Sequence, residues 1–389
     1  MIPLQGIRVL ELTLNISGAL TGQILAGLGA QVVKIERPGS GDDCRAFGPP
    51  FVHGASVMYN TMNRGKSSVT LDLKTPQAIQ WMHAQLAGCD VLIENMRPGT
   101  LDAIGLGLGS LRERYPRLVC VSLSAFGAQG PLALKPGYEE VVQAFSGLFS
   151  VNGAEGSPPA RVGTQILDMG TGVWGAVGCL AGLMQRQQTG EGCTVEGSLL
   201  ETALAWLTLP LGNFSLTGRQ PARSRSGGPS VAPYRCFQAI DGEIVVAAIN
   251  DRLFAQLSQA LGHPEWSDDS RFKTATVRAS NREAIHGLIE PIIATRTRAH
   301  WRALLEAAGV PCSPVNSLAD VLAEPHVRQL VLFDPVPDTD GLFVRMPIRI
   351  DGSRGVPLAA APVLGNANDA LLGATSSWPG SLPASGDAR

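Results

Sequence analysis

A chain of 389 residues, 44% hydrophobic and 16% charged with a formal net charge of −2, is long enough for two or three domains with a large buried core. No Lys/Arg run stands out against that near-neutral balance, so a nucleic-acid partner is not expected. Seven cysteines without a Cys-x-x-Cys pair and six scattered histidines point neither to a disulfide framework nor to a protein-built metal site. Residues 1–5 lead almost directly into an apolar strand, without the layout of a signal peptide. The most apolar stretch, 173–184, reads as too short and too glycine-rich to span a bilayer. A cytoplasmic protein with no membrane partner is the expectation.

In chain order, residues 7–13 read as a strand, 18–29 as a helix and 31–35 as a second strand, ending in Glu36-Arg37. Residues 69–73 read as a strand, 75–86 as a helix, 90–94 as an apolar strand, 105–115 as a crossover and 118–124 as another buried strand. Alternation of this kind builds a parallel α/β sheet covered by helices, with ligands at the carboxyl ends of its strands. Helical patterns follow at 137–147, 164–187 and 199–211, with a short strand at 193–197. The stretch 218–233 is polar and glycine-rich, as a linker would be. Asp241-Gly242 between 234–240 and 243–248 is a hairpin signal. Helices at 252–261, 281–293 and 298–308 complete a smaller α+β domain over 234–327. Strand 310–316, helix 318–323 and paired strands 330–336 and 341–350 come next, so that 328–375 would complete the large domain begun by 1–217. The Pro/Gly/Ser-rich stretch 376–389 reads as disordered.

Asp168 is the residue most suggestive of chemistry. It lies in Val162-Gly163-Thr164-Gln165-Ile166-Leu167-Asp168-Met169-Gly170, a lone carboxylate among glycines and apolar residues at the start of a long apolar helix. Burial disfavours an ionised carboxylate, so such a residue is paired or put to chemical use. A helix N-cap is the plainer reading, and the two are compatible. The first strand lacks a Gly-x-Gly-x-x-Gly turn; Asn15-Ile16-Ser17-Gly18 stands there instead. Arg37, at the end of the second strand, suits a phosphate.

Together with Pro136-Gly137-Tyr138-Glu139-Glu140, Gln143-Ala144-Phe145-Ser146-Gly147, Thr189-Gly190-Glu191-Gly192 and Gly227-Gly228 before Ala232-Pro233-Tyr234, these stretches resemble the class III (CaiB/BaiF-type) coenzyme A transferases over nearly the whole chain. The resemblance implies a Rossmann-like large domain, a smaller domain and a homodimer of interlocked rings. It implies Asp168 as nucleophile, with Tyr138 and Glu139 beside it. It implies coenzyme A contacts at Asn15, Arg37, Leu71, Lys74, Asn95, Met96 and Arg97. At position 103, where the family often has a cation, this chain has alanine, and Arg97 is the candidate replacement. Similarity at Gly41-Asp42-Asp43-Cys44-Arg45 points to succinyl-CoA-dependent enzymes acting on dicarboxylates, with Ile16, Arg45 and Arg64 as candidate substrate residues. The tetraglycine loop of formyl-CoA transferases is absent, which speaks against oxalate and formate. Acyl-CoA racemases of the same superfamily carry a histidine where Tyr138 stands, and a phenol is a poor base at neutral pH. That reading, and a coenzyme A-binding protein without turnover, remain the alternatives.

Overall fold

The computed structural model describes residues 2–228, 230–373 and 378. They form two compact units, one taking in residues up to 149, 161–219 and the described residues from 332 onward, the other 150–160 and 220–331. That 150–160 joins the second unit is something no feature of its sequence announces.

The first unit is built on six parallel strands: β1 (Arg8–Leu12), β2 (Gln31–Glu36), β3 (Lys66–Thr70), β4 (Val91–Glu94), β5 (Val119–Ser124) and β6 (Thr194–Ser198). Their spatial order is β3-β2-β1-β4-β5-β6, the doubly wound arrangement in which the chain reverses direction between β1 and β4. In register, Val9 lies opposite Val32 on one side and Val91 on the other. Val9, Leu10, Val91, Leu92, Ile93, Val119 and Val121 expose no surface. Helices cover both faces, which is why Val9-Leu10, Val91 to Ile93 and Val119 to Val121 are apolar.

The helices that bear on the site are α1 (Ser17–Gly27), α2 (Pro76–Leu86), α3 (Glu139–Phe145), α4 (Ile166–Thr189), α5 (Leu199–Trp206) and α6 (Thr208–Thr217). α1 and α4 approach closely. Thr21 Oγ1 donates to Gly172 O at 3.0 Å, and a Cβ on Gly172 would come within 2.7 Å of Ser17 O. At 24 residues α4 outruns the expected apolar stretch, and by length and composition alone it could cross a bilayer. Its glycine face is instead packed on α1, with Leu167, Cys179 and Leu183 buried.

Three expectations need correction. The strand expected at 69–73 runs over Lys66–Thr70. Its polar residues mask it, because their partners lie far off in sequence: Lys66 Nζ donates to Glu11 Oε1 at 3.0 Å, and Ser68 Oγ donates to Glu36 Oε1 at 2.6 Å. The single helix expected over 199–211 is two, α5 and α6, parted at Leu207. Pro210 lacks the N–H that a continuous helix would need there, and fits only near a fresh start. The long strands expected at 330–336 and 341–350 shrink to Phe333–Pro335 and Leu342–Val344, bracketed by Pro335 and Pro347.

The second unit is a three-stranded antiparallel sheet, Cys312–Pro314, Gly242–Ala247 and Tyr234–Ala239, with helices packed on it. Phe237, Ile244, Phe254, Leu257, Ile285 and Ile289 fill its core. The stretch 376–389 lies outside the described residues except for Trp378, whose ring is 5.6 Å from the Arg8 guanidinium carbon.

Candidate active site

A cavity of about 400 Å³ opens in the first unit at the carboxyl ends of β1 and β4, the point where the strand order reverses. Asn15, Asn95, Met96, Arg97, Lys135, Tyr138 and Asp168 line it, with Asp43, Ser124 and Gly137.

The turn after β1 is held by side chains rather than by glycines. Asn15 has φ +62°, an uncommon backbone for a non-glycine residue. Its N–H donates to Asp42 Oδ1 at 3.1 Å, and Asp42 Oδ2 lies 3.0 Å from Lys34 Nζ. Lys34 and Lys66 both contact Glu11, at 3.0 and 2.8 Å, and none of these side chains is exposed. Burial holds the Lys66 ammonium down to about 8. One step along, Asn95 clamps Leu14 from both sides: Leu14 N donates to Asn95 Oδ1 at 2.8 Å, and Asn95 Nδ2 donates to Leu14 O at 2.7 Å. The amide of Asn95 thus serves the shape of the turn.

Asp168 lies in the first turn of α4. The N-cap residue, Gln165, makes no side-chain cap. The buried carboxylate of Glu139 does that work from α3: Leu167 N donates to both of its oxygens at 3.1 Å, and Asp168 N donates to Oε2 at 2.7 Å. Gln143 Nε2 donates to Glu139 Oε1 at 2.6 Å, and Val162 N donates to Gln143 Oε1 at 2.9 Å. Burial first, then the neighbouring Glu139 charge, pushes the Asp168 carboxyl up to about 7. A carboxylate at a helix start would ordinarily be favoured by the dipole; here desolvation wins.

Asn15, Asn95, Met96, Arg97, Tyr138 and Asp168 are therefore brought together, with Glu139 behind Asp168 as a cap. Arg37, Leu71 and Lys74 lie outside the cavity, at the carboxyl ends of β2 and β3, where Leu71 N donates to Glu36 O at 2.9 Å. Arg37 pairs with Asp43, itself a cavity residue. Ile16 is 5% exposed and turned into the core. Arg45 is committed to Glu36 through Nε and Nη2 at 2.8 and 2.7 Å, and Arg64 to Asp334 at 3.0 Å. Both arginines are thus held by internal carboxylates, away from the cavity. Lys135 escaped sequence reasoning, although it stands directly before Pro136-Gly137-Tyr138-Glu139. Its ammonium lies 5.4 and 5.3 Å from the ring centres of Phe126 and Phe145. Among the described residues no group of three or more His, Cys, Asp or Glu is arranged to hold a metal.

The sequence pattern of CoA-transferase family III matches residues 4–368. Mouse succinyl-CoA:glutarate CoA-transferase is 36% identical over 327 residues, covering 84% of this chain and 75% of that one. Acetyl-CoA:oxalate CoA-transferase of Acetobacter aceti is 37% identical over 325 residues, covering 83% of each. The crystal structure of a CAIB/BAIF family protein from Brucella suis superposes with a TM-score of 0.84 at 33% identity, over 95% of this chain and 98% of that one.

Proposed function

The chain belongs to CoA-transferase family III, and from that premise we propose that it moves coenzyme A from succinyl-CoA to a small dicarboxylic acid through an aspartyl thioester on Asp168. The protein is a CoA-transferase, with coenzyme A as co-substrate. The relatives described above carry glutarate and oxalate in their names, both dicarboxylates, so oxalate stays among the acceptors to be tested despite the missing tetraglycine loop.

The observation that carries the mechanism is a half-buried carboxylate, raised to about 7, on the wall of the cavity at the ends of β1 and β4. The ionised Asp168 oxygen attacks the thioester carbonyl, the C–S bond breaks, and a mixed anhydride and the CoA thiolate result. The thiolate then attacks the aspartyl carbonyl and the donor acid leaves, so the side chain becomes an aspartyl-CoA thioester. An acceptor carboxylate runs the sequence in reverse, conserving the thioester bond. Tyr138 and Lys135 stand on the cavity wall as donors for charge building on the carbonyl oxygens. Arg97, Met96 and Asn15 would contact the co-substrate in the cavity, and Arg37, Leu71 and Lys74 its nucleotide end. Lys135 and Arg97 supply the cations a phosphorylated ligand requires.

We assign the protein to the cytoplasm as a homodimer. Support for a second copy comes from α5 and α6, where Leu204, Trp206, Leu209, Leu211, Phe214 and Leu216 are exposed together. The domain limits proposed are 1–217 with 328–375, a linker at 218–233, and 234–327.

Succinyl-CoA without acceptor should load Asp168, and hydroxylamine should convert that side chain to a hydroxamate seen by peptide mass spectrometry. Asp168→Asn should lose transfer at least about a thousandfold. Exchange of an α-hydrogen with deuterium and no adduct would favour a racemase, for which a group titrating near 7 would also serve as base.

A further inference from the structure

Gln143 is fully buried on α3, and its amide is occupied at both ends. Its Nε2 donates to Glu139 at 2.6 Å while its Oε1 accepts from Val162 N at 2.9 Å. Glu139 in turn accepts from Leu167 N and Asp168 N. One side chain therefore fixes the carboxylate beneath Asp168 and also the backbone that runs into α4. We propose that Gln143 is a positioning residue for the reaction, holding Glu139 on the first turn of α4 and so setting where the Asp168 carboxylate points. The inference rests on the reading of Asp168 as nucleophile.

An amide suits this place because it donates and accepts at once. An apolar side chain would leave the buried Glu139 carboxylate and Val162 N each with one partner fewer. A carboxylate would turn one attraction into repulsion. Glu139 also acts electrically, since its charge is the second cause of the raised Asp168 pKa, after burial. The other charged or titratable groups facing the cavity are Lys135 and Tyr138 before α3, Arg97 after β4 and Asp43 after β2. Arg161, on the segment leading to α4, is paired with Glu140 at 3.6 Å. A change at residue 143 touches none of those groups directly, so its effect on Asp168 runs through Glu139 and the Val162 backbone.

The test follows single-turnover loading of Asp168, trapped with hydroxylamine, from whichever of succinyl-CoA and acetyl-CoA loads the wild type faster. Gln143→Leu should slow loading roughly 10- to 100-fold while KM for the donor stays within about 2-fold, since the reacting carboxylate is misaimed rather than the cavity closed. Loading within about 2-fold of the wild-type rate, or a KM raised as much as the rate is lowered, would overturn the proposal. If Gln143→Leu does not fold, Gln143→Glu, of the same shape and with an oxygen still offered to Val162 N but repelling or sharing a proton with Glu139, should likewise slow loading about tenfold or more at unchanged KM; loading at the wild-type rate overturns the proposal. Loading by Asp168→Asn at the wild-type rate would instead bring down the nucleophile reading itself, a failure distinct from that of Gln143.

Discussion

Two opposing influences meet at Asp168. The start of a helix favours a negative charge, yet burial and the Glu139 charge push this carboxyl up to about 7. Only the ionised form attacks a thioester, so kcat/KM for the acyl-CoA should fall about tenfold per pH unit below that inflection. A pH–rate profile flat down to about pH 5 would contradict it. Stability moves with the same proton. The folded chain keeps it up to about 7, whereas a carboxyl free of these neighbours releases it near 3.8. Ionisation therefore weakens the fold progressively as pH rises between those values. Asp168→Asn should melt above the wild type at about pH 8, and the gain should vanish at about pH 3. Calorimetry at the two pH values checks both, and equal Tm at the higher pH would show that the carboxylate carries no such strain.

At the scale of elements, the site depends on how closely α4 approaches α1. Gly172 lies one turn beyond Asp168, and a methyl there would meet the Ser17 carbonyl oxygen at 2.7 Å. Backbone does not yield as a flexible side chain would, so Gly172→Ala should destabilise by about 1–3 kcal/mol. Gly212, in α6, has nothing within 4 Å of an added Cβ, and Gly212→Ala should instead stabilise by about 0.5–1 kcal/mol. Denaturant midpoints decide between the two signs. The same elements show what a sequence gives away. β1, β2, β4 and β5 are legible because strands covered on both faces keep apolar stretches, Val9-Leu10, Val32-Val33, Val91 to Ile93 and Val119 to Val121. β3 is not, because Lys66 and Ser68 look solvated until Glu11 and Glu36 are seen to receive them. Asp168 is conspicuous as a lone carboxylate between Ile166-Leu167 and Met169-Gly170. The capping of its helix by Glu139 is invisible there, since the two lie on different elements. Arg45 and Arg64 read as free cations for a similar reason: a sequence shows a charge but not the distant carboxylate that already holds it.

For the molecule as a whole, the exposed face of α5 and α6 predicts association. Sedimentation velocity should report twice the mass of one chain, and Leu209→Glu with Phe214→Glu should shift it toward one, because a charge forced into a dry contact costs about 2 kcal/mol or more. Wild type sedimenting as a single chain would refute the dimer. The buried array of Glu11, Lys34, Glu36, Asp42, Arg45 and Lys66 has a consequence of another kind. Three cations face three carboxylates, linked at 2.7 to 3.0 Å, and all six belong to the first 66 residues. A charge cannot be left bare in a closed sheet, so β1, β2 and β3 must gather together or not at all. The six charges cancel among themselves, with no counter-charge taken from the rest of the chain. This stretch is thus electrically self-contained, and a sheet that starts there would take up β4, β5 and β6 in turn on its β1 side. Pulsed hydrogen exchange during refolding should find the amides of Leu10 and Val33 protected before those of Val121; the reverse order would mean that the sheet grows from its other side.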